Sequence, residues 1–347
     1  MSLMTVLGPI DSDELGIILP HEHIMLDLRN QFSEFTEASR IALSEQRVNI
    51  KNLDVLSRNP LALKDNLILN DIKLAVDELL EYKKAGGNTV VEATSMGAGR
   101  DPIALRDISR ITGLHVIAGC GYFTYDTHPV GMDEKKVETI KREMLKDIRE
   151  GIDGTGVRAG VIGEIGTSDE IYPNEEKALI AAAEVQSETG LGIHVHTEPW
   201  AEKRLEALHI LKKHGADLTK VAVDHLDVKM DIDLEDCKKI MDQGAYVEFD
   251  NFGKEYYIDM RNRSLLAGPF ATDFQRVNGI KELVDSGFLS KILITNDLCF
   301  KTMLHRYGGW GYDHILTNIV PMMRETGLTD EQLDMILVKN PKKLLSI

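Results

Sequence analysis

Five short segments of this chain carry side chains able to hold metal ions or move protons. They are His21-Glu22-His23, Gly163-Glu164-Ile165, His194-Val195-His196, Asp224-His225-Leu226-Asp227 and Thr295-Asn296-Asp297. Side chains two apart on a strand point the same way, so His21 and His23 can bind one ion together. With Glu164, His196, His225 and Asp297 they make four imidazoles and two carboxylates, a nitrogen and oxygen donor set suited to zinc or a similar transition metal. Six donors exceed one tetrahedral zinc and suit two ions ~3.5–4 Å apart. The expectation is two divalent ions per chain, zinc first, with manganese or cobalt as alternatives. A single His-x-His, or one His or Asp at a strand end, has an ordinary structural explanation. The joint pattern carries the weight, because all six fall at strand ends.

The elements that must position these residues follow from hydrophobic rhythm. Eight β-branched runs recur, near residues 16–19, 89–94, 115–119, 160–165, 192–196, 220–225, 245–250 and 292–296. Between them lie amphipathic helical stretches such as 71–84, 134–150, 175–189, 198–213, 234–243 and 277–286, most followed by a glycine before the next run. Strand, helix, glycine, strand is the pattern of right-handed βαβ units and a parallel sheet. Eight units in 347 residues point to an α/β fold, a (β/α)8 TIM barrel, read as one domain over 1–347 with its active end where the strands finish. An open doubly wound sheet would carry a glycine-rich phosphate loop after the first strand, where Leu19-Pro20-His21-Glu22-His23 stands instead. Residues 24–70 read as a helical excursion over the barrel mouth. A last helix starts at the Thr329/Gln332 capping box and stops near Asn340-Pro341.

Composition narrows the class of partner. Formal net charge is −16, hydrophobic residues make up 43%, and no run approaches a membrane span. An acidic surface repels polyanions, so neither nucleic acid nor membrane is expected as a partner. Three widely spaced cysteines, Cys120, Cys237 and Cys299, without a secretory pattern at the start, suggest a reducing cytoplasm.

The order of motifs, from His21-Glu22-His23 through 159–167, His194–Thr197 and Asp224–Asp227 to Thr295–Asp297, resembles the phosphotriesterase family of the amidohydrolase superfamily over residues 8–341. The resemblance implies a binuclear metal hydrolase acting on a small molecule, in a branch containing lactonases and phosphotriesterase-homology proteins, with a homodimer as a possible assembly. It implies that His21, His23 and Asp297 hold the more buried ion and His196 and His225 the outer one. Where phosphotriesterase bridges its ions with a carboxylated lysine, this chain offers Glu164, and no lysine lies between Arg158 and Asp169. Two such ions lower the pKa of a shared water, and Asp297 is then the proton acceptor.

Other residues keep two readings. Asp227 either orients His225 or relays a proton, or is a solvated loop aspartate. Tyr122 either holds a substrate oxygen, as a tyrosine does in lactonase relatives, or packs against the first connection. His194 reads first as a buried, hydrogen-bonded core histidine, and Cys299 as packing. His209, His214, His305 and His314 are assigned to no metal. Asn251 replaces a proton-relaying histidine of phosphotriesterase. Lys254 and Arg261, with Lys301 and Arg306 nearby, either bind an anionic group or pair with Glu255, Asp259 and Asp273. These features favour a lactonase for a polar or phosphorylated sugar lactone. An N-acyl amide hydrolase and a phosphotriesterase are the alternatives on the same centre, and a non-catalytic metal-bound binding protein is the alternative of another class.

Overall fold

The computed structural model describes residues 2–32, 35–257 and 268–347. Eight parallel strands run in sequence order around one sheet: β1 (Ile18–Glu22), β2 (Thr89–Glu92), β3 (His115–Cys120), β4 (Val161–Thr167), β5 (Ile193–Thr197), β6 (Val221–Val223), β7 (Tyr246–Phe249) and β8 (Ile292–Ile294). Both faces of every strand are covered, so the runs are rich in Val, Ile and Ala rather than alternating with polar residues. At Gly119 a Cβ would lie 2.0 Å from the Gly163 carbonyl oxygen, so only glycine lets β3 and β4 approach here.

No backbone ladder joins β8 to β1 among the described residues; a side chain closes that seam. The Glu22 carboxylate accepts from Thr295 Oγ1 (2.6 Å), from the backbone N–H groups of Asn296 (2.8 Å) and Leu298 (2.9 Å), and from Asn296 Nδ2 (3.0 Å). The Thr295 hydroxyl also reaches the His21 carbonyl oxygen at 3.0 Å. The sheet is thereby a nearly closed barrel, ringed by helices.

The helices follow their caps. Asp71 accepts from Leu74 N–H to start Ile72–Lys84, and Thr272 with Gln275 forms the capping box of Asp273–Asp285, one turn earlier than periodicity alone placed it. Pro102–Thr112, begun by Asp101 and Pro102 and ended by left-handed Gly113, fills the gap between β2 and β3 that the sequence reading left unassigned. The helix expected over 198–213 begins only at Arg204, because residues 198–201 turn aside into the cavity wall. The last helix does not stop at Asn340-Pro341. A wide turn at Met335–Lys339 admits the proline, and Asn340–Leu345 continues to bury Leu344 and Leu345. Among the described residues of 24–70, short helical pieces lie over the mouth, as expected, tied at their ends by the antiparallel pair Leu26–Asp27 and Ile68–Leu69. No described helix is long and apolar enough to cross a membrane.

Candidate metal centre

All six sequence-predicted donors converge at the C-terminal mouth of the barrel. His21, His23 and Asp297 form one cluster and Glu164, His196 and His225 another, each with its donor atoms within 4.8 Å of one another. Glu164 lies between them. Its Oε1 is 3.4 Å from His23 Nε2, and its Oε2 is 3.6 Å from His21 Nε2 and 3.3 Å from His196 Nδ1. Oε1 faces the first cluster and Oε2 faces both, so the carboxylate is shared between them as a bridge requires. His225 (φ 62°) and Asp297 (φ 45°) both sit in the left-handed backbone region, which aims their side chains back over the mouth and stores strain at the site.

The residues fit a pair of metal ions. His21 Nε2 and Glu164 Oε2 are buried without a hydrogen-bond partner among the described residues, and His196 Nδ1 faces His225 Nε2 across 2.8 Å. Lone pairs so placed in a dry site call for a cation. Burial works against the His23 imidazolium, but hydrogen bonds that it donates to Asp297 and Glu164 hold its pKa up at about 9. Burial likewise works against the Glu164 carboxylate, yet His21 and His196 hold it well below its ordinary value.

Each ring is fixed from behind. His23 Nδ1 meets Thr94 Oγ1 at 2.8 Å, and His225 Nδ1 meets Asp250 Oδ1 at 3.0 Å while the His225 backbone N–H donates to Asp250 Oδ2 at 2.8 Å. Asp250 was missed in the sequence. It stands two residues from Glu248 on an inward strand face, so the two-residue period could have flagged it. His194 is a buried core histidine beside Asp224, as read.

Lys254 is not a mouth cation. It is buried, and its Nζ contacts Asp297 Oδ2, the oxygen turned away from His23. Burial opposes the ammonium, but Asp297 raises its pKa; in turn Lys254 and His23 outweigh burial at Asp297 and depress that carboxyl. Arg261 lies outside the described residues. Lys301 pairs with Asp65 at 2.6 Å, and Arg306 is exposed, away from the cavity.

Two catalytic expectations are corrected. Tyr122 is buried but points outward: its hydroxyl donates to Glu143 and accepts from Lys135 Nζ at 3.1 Å. Phe123 instead faces the centre, its ring 4.6 Å from that of His196. Asp227 is neither solvated nor in the cavity. It accepts from the backbone N–H groups of Asp250 and Asn251 and from Asn251 Nδ2 (2.9 Å), and pairs with Arg276 Nε at 3.0 Å, so it reaches His225 only through Asp250. The fully buried Arg276 also binds Asp273 and the Lys254 carbonyl oxygen, anchoring the loop after β7. His305 pairs with Asp313 and His314 with Asp273, both apart from the donor clusters.

Above the centre opens a cavity of about 550 Å³. Its wall is largely apolar, from Leu26, Leu61, Trp200, Val228, Phe270 and Phe300, and Cys299, packed in the core as read, also lines it. Asp126, Asp169 and Glu198 supply acid at the rim, and Lys254 is the one Lys or Arg among the described lining residues.

A barrel with this donor set at its strand ends defines a class of metal-dependent hydrolase, and the comparisons place the chain within it. A family profile described as the phosphotriesterase family matches residues 1–345, and the chain belongs to that family. It is 37% identical over 345 residues to an N-acetyltaurine hydrolase of Danio rerio, covering 99% of this chain and 97% of that one. A resiniferatoxin-binding protein from Rhodobacter sphaeroides superposes with a TM-score of 0.95 at 34% identity, covering 99% of this chain and 94% of that one. The phosphotriesterase homology protein from Escherichia coli, solved with phosphate in its active site, gives 0.78 at 31% identity, covering 95% and 99%.

Proposed function

We propose that this enzyme cleaves the amide bond of a small N-acyl substrate, using two divalent ions, zinc foremost, held by His21, His23, Glu164, His196, His225 and Asp297. The contact between Lys254 and Asp297 carries this reading. When bound, the ions would supply Lewis acidity at the carbonyl and lower the pKa of an attacking water. Asp297 Oδ1 faces His23, and Oδ2, which already accepts from Lys254 Nζ, has a second lone pair to take up the proton. Lys254 keeps its own proton because the Asp297 charge overcomes burial. Once Asp297 is protonated that charge is gone, burial prevails, and Nζ becomes a better acid beside the departing group. An amine leaves only after its nitrogen is protonated, so a carboxylate that accepts and an ammonium that donates answer the needs of C–N cleavage. The apolar wall would hold the acyl part and exclude water. Kinship with N-acetyltaurine hydrolases supports the same class.

A lactone is the second reading, favoured by Asn251. This non-titrating side chain lines the cavity and donates to Asp227 and Asp250, so no outward relay follows Asp297, and a tethered alkoxide needs one least. The case for a phosphorylated lactone weakens, because Lys254 and Lys301 are already paired. The deciding assay compares kcat/KM of the zinc-loaded protein for N-acetyltaurine, N-acetyl amino acids, sugar lactones with and without phosphate, and an activated phosphotriester. Amides should lead by at least about tenfold. In Lys254→Ala, amide turnover should fall about 100-fold while hydrolysis of a p-nitrophenyl ester, whose leaving group needs no proton, changes little. Lactones leading, or equal losses on both substrates, would refute the amide reading.

A further inference from the structure

Beneath the metal centre lies a second titratable cluster that the mechanism does not use. His194 on β5, Asp224 just after β6 and Glu248 on β7 are fully buried behind His21. His21 Nδ1 is 3.4 Å from Asp224 Oδ2 and 3.3 Å from Glu248 Oε2. His194 Nδ1 is 3.4 Å from Asp224 Oδ1 and 3.3 Å from the same Glu248 oxygen. The two rings meet edge to face, 5.6 Å apart. Both Glu248 oxygens, Asp224 Oδ2 and His21 Nδ1 have no hydrogen-bond partner among the described residues, so Glu248 Oε2 and Asp224 Oδ2 face the imidazoles at ion-pair distance.

The other metal-facing rings are held differently. His23 rests on the neutral hydroxyl of Thr94. His225 rests on Asp250, whose charge is shared with the His225 backbone N–H and with Asn251 Nδ2. Behind His21 stand two carboxylates, which among the described residues share their charge with the His194 ring and with no backbone N–H or amide.

Resting on the metal reading above, the geometry points to Asp224 and Glu248, backed by His194, as positioning residues that face His21 Nδ1 at ion-pair distance and make the His21/His23/Asp297 ion the more firmly held of the two. With Nδ1 carrying the proton, Nε2 is free to face the ion. The carboxylates fix the ring's orientation and strengthen it as a donor, since negative charge behind an imidazole raises its basicity. His194 fills the opposite side of both carboxylates and keeps them aimed at His21.

The test is zinc binding rather than turnover. Metal-free protein is titrated with zinc against a chromophoric chelator, resolving the two equivalents, for the wild type and for Asp224→Asn, Glu248→Gln, His194→Gln and Asp250→Asn. Asp224→Asn and Glu248→Gln should weaken one equivalent by about 10–100-fold and leave the other within about threefold. Asp250→Asn should weaken the other equivalent instead. Cobalt added at one equivalent should show a shifted visible spectrum in Glu248→Gln and an unchanged one in Asp250→Asn. Should Asp224→Asn not fold, Glu248→Gln, which keeps the shape of its side chain, decides alone. Equal loss of both equivalents, or no loss, overturns the proposal. So does a third zinc equivalent that vanishes in Asp224→Asn, which would make the cluster itself a metal site. A wild type that binds no zinc overturns the metal reading as well, a result distinct from all of these.

Discussion

The floor of the mouth and the wall above it are built by different rules. On the floor every donor stands at or just past a strand end, and the rings of His23, His21 and His225 are backed by Thr94, Asp224 and Asp250. The wall comes from every connection between consecutive strands and from the segment after β8, and its side chains answer to packing rather than to a period. A floor residue therefore has little freedom to change without loss of the metal centre, whereas wall residues can change and alter which substrate fits.

The sharpest way to break that contrast is Glu164→Gln. An amide cannot offset two cations, so kcat should fall by at least about 1,000-fold while the circular dichroism spectrum stays native. Added bicarbonate should leave wild-type activity unchanged, since the bridge is not a carboxylated lysine. Trp200→Ala and Leu61→Ala, in the wall, should instead shift KM and substrate preference within about 10–100-fold at full zinc content. Equal damage from wall and floor variants would erase the distinction.

Beneath both regions, Asp273→Asn tests the Arg276 anchor. Removing one partner of this buried pair should cost about 3 kcal/mol in urea unfolding at neutral pH. Burial opposes the Asp273 carboxylate, but His314 and Arg276 hold its pKa below the ordinary value. Its contribution is therefore present above the unfolded-state pKa and disappears as pH falls through the folded-state one. The variant should lose part of the acid slope of stability below about pH 4. An unchanged slope would show that Asp273 does not contribute to it. The smallest effect belongs to Tyr122→Phe, about 1 kcal/mol of stability and activity within about twofold. A large fall in kcat there would restore Tyr122 to the site.

What the sequence disclosed follows the same division. The barrel and all six donors were legible because parallel strands buried on both faces leave an unmistakable apolar rhythm, and ligands must stand where that rhythm ends. Asp227 and Tyr122 were misread because position along the chain does not say which way a side chain turns after a strand stops. Tyr122 turns to Lys135 and Glu143; its neighbour Phe123 faces His196. Lys254 looked like a surface cation because the buried arginine that draws its loop inward lies 22 residues further on. The start of the helix after β7 was legible in Thr272 and Gln275, but apolar periodicity alone favoured a later residue.

Glu22, between the two histidines that open the first motif, has a mechanical consequence. Among the described residues seven of the eight inter-strand seams are backbone ladders, but the eighth is fastened by side chains, this carboxylate above all and the Thr295 hydroxyl beside it. A chain cut at that seam, or re-threaded so that new termini fall there, would sacrifice side-chain contacts and no ladder. The seam is thus the place to open the barrel for a split or circularly permuted enzyme, and the place where force or acid would part it first.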